Sequence, residues 1–280
     1  MINVKNISKK FNAFALKNIS FNLPKGQIMG LIGPNGSGKT TTIKLILNIL
    51  KKQSGKIKIF NKDLIQNEID IKEHIGVVLD SNYFLDTWTI PEVEKAIGMF
   101  YKNWCSTKFN SLIKNFNLNS QKRVNDLSKG MQMKLMLACA LSHDAKLLIL
   151  DEPTSGLDPV SRNKLLETLR DYIRDGEHSV LFSTHITTDL EKIADLITYI
   201  NNGNLIYTGS KNQFTSSYKI ANGKITDLNS DLENKLIGFK KFYNEFEGLI
   251  KEQDIKYFPE IFFKSASMDD IIIYTNKGVD

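Results

Sequence analysis

Cysteine is nearly missing from this chain. Cys105 and Cys139 are the only two in 280 residues, and neither belongs to a CxxC or Cys/His cluster, which excludes a disulfide framework and a thiolate zinc site. Long apolar runs are missing as well. No stretch approaches the ~18 uncharged apolar residues of a membrane-spanning helix. The opening MINVKNISKKFNAFALKNIS lacks the charged start, apolar run and cleavage site of a secretory signal. The expectation is a cytosolic chain. Arginine is scarce, 4 residues against 33 lysines, and no basic run of about 5–8 residues stands out. The lysines therefore read as a solvated surface, and no direct contact with nucleic acid is expected. No internal repeat or low-complexity segment is visible.

What is present describes a globular chain. With 41% hydrophobic and 24% charged residues, disorder is excluded as the dominant state, and the length suits one large domain or a main domain with an appendage. The charge is uneven: residues 1–215 carry 28 Lys+Arg against 20 Asp+Glu, and 216–280 carry 9 against 11. Short β-like runs (2–7, 15–23) lead to QIMGLIG at 27–33, apolar on both faces as a central strand requires. A helix is expected over 40–50, strands at 55–60 and 74–80, and helical character from about 90 to 140. KLLILDE (146–152) and SVLFSTH (179–185) are further strands, with helical segments around them. LITYINNGNLIYTGS carries an Asn-Gly hairpin signal. Strands alternating with helices at this spacing imply an α/β domain with a mainly parallel sheet, with a boundary expected near 215/216. In the tail, Leu228, Leu232, Leu236, Phe239, Tyr243, Phe246 and Ile250 recur every three to four residues, which predicts one long amphipathic helix. IFFKS and DDIIIYTN are expected to be strands packed on it.

The sharpest signal is Gly33-Pro34-Asn35-Gly36-Ser37-Gly38-Lys39-Thr40, which fits GxxxxGK[ST] between a buried strand and a helix. Glycines let successive backbone N–H groups curl around a phosphate, and the helix start adds its positive dipole end. Asn35, Gly36, Ser37, Gly38, Lys39, Thr40 and Thr41 are the candidate nucleotide-binding residues. Lys39 would reach the β- and γ-phosphates, and Thr40 would offer a hydroxyl to Mg²⁺. The acidic partner of such a loop lies at the end of a neighbouring strand. Leu147-Leu148-Ile149-Leu150-Asp151-Glu152 supplies Asp151 for the metal's water shell and Glu152 as the general base or water-orienting group.

The order of phosphate loop, LSKGMQ (127–132), LLILDEPTSGLD (147–158) and Ser183-Thr184-His185 resembles the nucleotide-binding subunit of ABC transporters over about 1–215. That resemblance implies a phosphate-loop NTPase core with an N-terminal antiparallel β subdomain, a helical signature subdomain at about 81–140, and a small C-terminal α+β extension. It also implies ATP and Mg²⁺ as cofactors. Phe11 matches the aromatic that stacks on adenine. His185 matches the switch histidine that contacts the γ-phosphate. Ser128, Gly130 and Asp158 match groups that act in trans across a dimer. The chain departs from the family pattern in two places: Asp80 stands where Gln usually helps bind the metal, and the signature has Lys129 and Met131 where Gly and Gln are commoner. A carboxylate at 80 can still ligate Mg²⁺ but cannot donate a hydrogen bond, and this bears on the coupling segment 80–92.

The resemblance further implies a partner: a transmembrane permease on a separate chain, with the cassette bound peripherally to the inner face of the membrane. The dimer is expected with itself or with a second cassette. The Phe11 region, Asp80 and a tail ending in SMDDIII resemble exporter cassettes more than importers. A soluble ABC-type ATPase acting on ribosomes or DNA is the alternative. A non-hydrolysing regulatory cassette would lack Glu152 or His185, and both are present.

Overall fold

The computed structural model describes residues 1–277; the chain divides into two compact units, Met1–Ile206 and a second that begins at Tyr207. The strands in chain order are β1 (Ile2–Lys10), β2 (Ala15–Leu23), β3 (Ile28–Ile32), β4 (Ser54–Ile59), β5 (Lys62–Asp63), β6 (Ile75–Val78), β7 (Leu147–Asp151), β8 (Ser179–Thr184), β9 (Leu196–Asn201), β10 (Asn204–Ser210), β11 (Tyr218–Lys224), β12 (Gly238–Phe242), β13 (Glu245–Lys251) and β14 (Phe262–Ser265). The helices are α1 (Lys39–Ile46), α2 (Glu68–Glu73), α3 (Ile90–Gly98), α4 (Ser106–Asn115), α5 (Lys129–Leu141), α6 (Pro159–Tyr172), α7 (Thr187–Ile193), α8 (Lys211–Ser216), α9 (Ser230–Lys235) and α10 (Met268–Lys277).

The first unit is built on a ten-stranded sheet of order β5-β4-β1-β2-β10-β9-β3-β8-β7-β6. One end is antiparallel, with β1 between β2 and β4. The other is parallel, from β9 through β3, β8 and β7 to β6. Every residue of β3, β7 and β8 is buried, as strands covered on both faces must be. Of these, β3 is the run whose apolar character marks it as central in the sequence. The Asn-Gly signal is a hairpin in the structure: Asn202 and Gly203 both take positive φ, 46° and 73°, between β9 and β10, the twist-matched turn that such a pair favours. Helices α3, α4 and α5 fill 90–141.

The β1–β2 ladder has two register shifts, between Val4 and Ile7 and between Ile7 and Lys9. Asn6 and Asn18 sit beside them in the left-handed region, each with φ 50°, which asparagine tolerates better than most residues. Both are clasped by serines. Ser20 Oγ donates to Asn6 Oδ1 at 2.8 Å and accepts from Asn6 N. Ser8 Oγ accepts from Asn18 N at 3.0 Å and donates to Asn18 Oδ1.

The second unit carries an antiparallel sheet of order β12-β13-β11-β14 with α8, α9 and α10. Here the sequence expectation of one long helix over 228–250 is corrected. Only Ser230–Lys235 is helical, and 238–251 is the β12–β13 hairpin, turning at Tyr243 with φ 49°. A spacing of four residues satisfies a helix and a strand alike. Phe246 and Ile250 are four apart, and both lie on one face of β13, buried with Ala221, Leu232, Phe258 and Ile261. IFFKS is a strand, β14, but DDIIIYTN is a helix, not a strand. Ser267 and Asp270 close a reciprocal cap at its start: Asp270 N donates to Ser267 Oγ at 3.1 Å, and Ser267 N to Asp270 Oδ2 at 2.9 Å. Ile271 and Tyr274, three apart, are buried while Ile273 is half-exposed, which is helical periodicity.

Among the described residues, no helix is long and apolar enough to cross a membrane.

Candidate functional site

The carboxyl ends of parallel strands are where open α/β sheets bind ligands. Here β3 ends at Ile32, the chain makes a tight loop, and α1 begins at Lys39. Gly33 holds φ 150°, and a Cβ on it would lie 2.1 Å from the Ile200 carbonyl oxygen, so only glycine lets the loop start this close to β9. Gly38 holds φ 114° at the helix N-cap. It offers no side chain to the first-turn N–H groups, which leaves them for an anion. Ser37 N donates to Pro34 O, and Gly203 N to Ser37 O, fixing the curl from both sides. Ser37 Oγ is buried without a partner, a donor poised inside an otherwise satisfied loop.

This loop is one wall of a cavity of about 340 Å³ whose rim includes Lys39, Thr40, Asp80, Lys129, Glu152, Ser155 and His185. Lys39 Nζ donates to Gly33 O at 2.8 Å and stands 3.7 Å from Glu152 Oε1. Burial pulls the Lys39 ammonium below the usual lysine range, an effect that Glu152 and Asp151 partly oppose.

Glu152 follows β7 in the left-handed conformation, φ 52°, which turns its side chain out of the strand direction. Its Oε2 accepts from His185 Nδ1 at 2.7 Å and from His185 N at 3.3 Å. Because a carboxylate only accepts, Nδ1 carries the hydrogen, and in the neutral ring Nε2 is left as an acceptor. Asp151 is 1% exposed and accepts from Ser183 Oγ at 2.5 Å. The same hydroxyl accepts from Glu152 N at 3.1 Å. Parallel pairing of β7 with β8 sets Asp151 opposite Ser183, so one serine ties both acids to the strand that carries His185. Sequence reasoning quoted Ser183 only as part of a motif. Its signal was the register of two apolar strands.

The remaining candidates are distributed unevenly. Asn35, Gly36, Ser37, Gly38 and Thr41 line the cavity with Lys39 and Thr40. Phe14 lines it and Phe11 does not. The two rings are 6.3 Å apart, and a Cβ on Gly38 would touch Phe14 at 3.0 Å. Phe14 is not among the residues singled out in the sequence, although it is the second aromatic of FNAF. Ser128 caps α5, its Oγ accepting from Met131 N at 3.3 Å. Asp158 caps α6, Oδ1 accepting from Val160 N at 3.0 Å and Ser161 N at 2.9 Å, and a bond from the Ser161 hydroxyl, with these backbone bonds, holds its carboxyl below the usual range. Neither reaches the cavity of its own chain. They are nonetheless one surface, since a Cβ on Gly130 would meet Leu157 Cδ2 at 3.2 Å and Gly156 O at 3.3 Å.

Residues 16–155 match the family model described as ABC transporter. Over 248 residues the chain is 30% identical to the ABC transporter ATP-binding protein NatA of Bacillus subtilis, covering 85% of this chain and 98% of that one. This chain belongs to the ABC transporter ATP-binding family. It is therefore an ATP-hydrolysing transporter subunit. The Nod factor export ATP-binding protein I of Burkholderia lata is 30% identical over 223 residues, covering 77% of this chain and 73% of that one. A solved ATP-binding subunit of an ABC transporter superposes with a TM-score of 0.70 at 27% identity, covering 76% of this cassette and 91% of the other.

Proposed function

We propose that this cassette hydrolyses MgATP in the phosphate-loop cavity, with Glu152 as base, to drive a separate transmembrane permease that moves its substrate outward. The observation that carries the reading is the Glu152 carboxylate, held between His185 Nδ1 and Lys39 at the cavity rim. A water beside the γ-phosphorus would give its proton to Glu152 as its oxygen attacks. The bond from γ-phosphorus to the bridging oxygen breaks, and that electron pair leaves with ADP. Lys39 offsets the charge gathering on the β–γ bridge, and His185 fixes the direction of the carboxylate.

Thr40, Asp151 and Asp80 fit a magnesium ion, because all three are hard oxygen donors and such an ion keeps waters and takes one or two carboxylates beside the phosphates. Asp151, buried and held by Ser183, would act on it through water. When bound, the ion would neutralise charge on the β- and γ-phosphate oxygens. Asn35 to Thr41 would cradle the phosphates, and Phe11 with Phe14 would flank the base.

Ser128, Gly130 and Asp158 would close the site of a second subunit, because they share a surface away from their own cavity. That subunit would be another copy or a related cassette. The 80–92 segment would pass the resulting motion to the permease, and the cassette would sit at the cytoplasmic face of the membrane. Outward transport is favoured by the likeness to a Nod factor export protein. The chain boundary proposed for the catalytic domain is 215/216. Action on ribosomes or DNA is not favoured, because the relatives are transport proteins.

The test is Glu152→Gln, which keeps the shape and removes the base. Steady-state hydrolysis should fall by at least about 100-fold, with ATP binding retained and dimers accumulating on gel filtration. Turnover near the unmodified rate overturns the base assignment.

A further inference from the structure

Asp80 and Lys129 both depart from the family's pattern, and they lie 49 residues apart. In the structure they meet: Lys129 Nζ donates to Asp80 Oδ1 at 3.0 Å. Both side chains line the phosphate cavity of their own chain, across from Lys39, Thr40, Glu152 and His185. Asp80 arrives two residues after β6, and Lys129 is the first residue of α5, just past its Ser128 cap. The stem of Lys129 runs alongside Gly156, where a Cβ would meet its Cδ at 3.7 Å. The ammonium is thereby directed along the 155–158 loop toward the cavity mouth.

A pair 54% exposed on both sides adds little to stability, because water and salt screen it. Its position matters more than its strength. A triphosphate in the cavity would carry several negative charges past the pair. The carboxylate of Asp80 would repel it, the ammonium of Lys129 would attract it, and each now cancels the other. A metal-loaded triphosphate is different, because its cation gives Asp80 a partner and sets Lys129 free for phosphate oxygen.

We propose that Asp80 and Lys129 form a charge pair over the nucleotide cavity of their own chain that discriminates metal-loaded from metal-free ATP, Lys129 contacting phosphate in cis. This rests on the reading of the cavity as the MgATP site. It assigns Lys129 to its own chain's nucleotide, whereas the flanking Ser128 and Gly130 are proposed to serve the partner's.

The experiment is a fluorescence titration of the full chain with MANT-ATP, at a protein concentration where gel filtration shows monomer, in EDTA and in excess Mg²⁺. Lys129→Gln strands the Asp80 carboxylate beside phosphate and should weaken binding in EDTA about tenfold, while Lys129→Arg should bind as the unmodified chain does. Asp80→Asn removes the repelling charge and releases Lys129. It should strengthen binding in EDTA about tenfold, and Mg²⁺ should abolish that gain. The double variant should fall within about threefold of the unmodified chain, the non-additivity expected of groups that touch. If all four variants stay within twofold in both buffers while Lys39→Ala loses binding, the pair is only a surface contact and the inference fails alone. Effects confined to the dimer would overturn the cis placement. If Lys39→Ala binds unchanged, the nucleotide reading of the cavity fails, and the inference with it.

Discussion

Ser183→Ala tests whether one hydroxyl holds the adjacent acids Asp151 and Glu152 in place. The hydroxyl donates to the buried Asp151 carboxylate at 2.5 Å and accepts from Glu152 N at 3.1 Å. Alanine leaves a carboxylate that is 1% exposed without that donor. Hydrogen bonds to charged groups contribute about 1.5–3 kcal/mol, and a buried acceptor left unpaired costs a similar amount. The Glu152 amide keeps its second acceptor, Ser183 O at 3.1 Å, so its loss adds little. The expected destabilisation is therefore about 2 kcal/mol, seen as a lower urea midpoint with an unchanged slope. Catalysis should divide in a particular way. Nucleotide affinity should hold within about threefold while kcat falls about tenfold or more, because the Asp151 carboxylate loses its anchor. In a cycle with Asp151→Asn, the two changes should couple by about 1–2 kcal/mol. A destabilisation below about 0.5 kcal/mol with kcat unchanged would refute the reasoning, because a free buried carboxylate cannot be that cheap.

Gly33→Ala should cost about 3 kcal/mol or more and abolish ATP binding, read by urea unfolding and nucleotide titration, because its Cβ would meet the Ile200 carbonyl at 2.1 Å. Native protein should release one equivalent of thiol to Ellman's reagent. Cys105 is exposed and its thiol is lowered by bonds with Thr107 and Lys108, while burial raises the Cys139 thiol and shields it until the chain unfolds. His143 is buried against Tyr101 with ring centroids 3.8 Å apart, and burial depresses its folded pKa below the ordinary 6.5. The unfolded chain then takes up a proton that the folded chain refuses, so this histidine's contribution is present above pH 6.5 and declines as pH falls below it. His143→Phe should flatten the loss of stability between pH 6.5 and 5 in parallel urea titrations, and an unchanged slope would exclude the assignment.

Much of the cassette was legible because its signals are local. A short apolar run ending in glycines, such as 27–33, reads as a covered strand, and GxxxxGK[ST] between strand and helix has one physical use. What escaped depended on register or on ambiguous period. Ser183 earns its place from the strand pairing that sets it opposite Asp151, which no single segment displays. Phe14 reaches the cavity through the path of the β1–β2 connection. The tail was misread because residues four apart, such as Phe246 and Ile250, coincide in helical and extended periods. The signals that separate them were present: Gly238, Asn244 and Gly248 interrupt any helix there, and Ser267 with Asp270 announces the one that follows.

The two asparagine–serine clasps in the β1–β2 ladder bear on the proposed adenine end of the site, although they lie outside the phosphate loop. A strand that slips by one residue presents its opposite face, and this hairpin contains two places where slipping is easy. The clasps remove that choice with four uncharged side chains. Glycine at 6 and 18 would still turn the backbone but would leave the alignment undecided between neighbouring frames. Phe11 and Phe14, at the tip of the same hairpin, would then inherit the error. If these aromatics flank the base as proposed, base recognition is in that sense a property of alignment, set before the aromatic residues are reached.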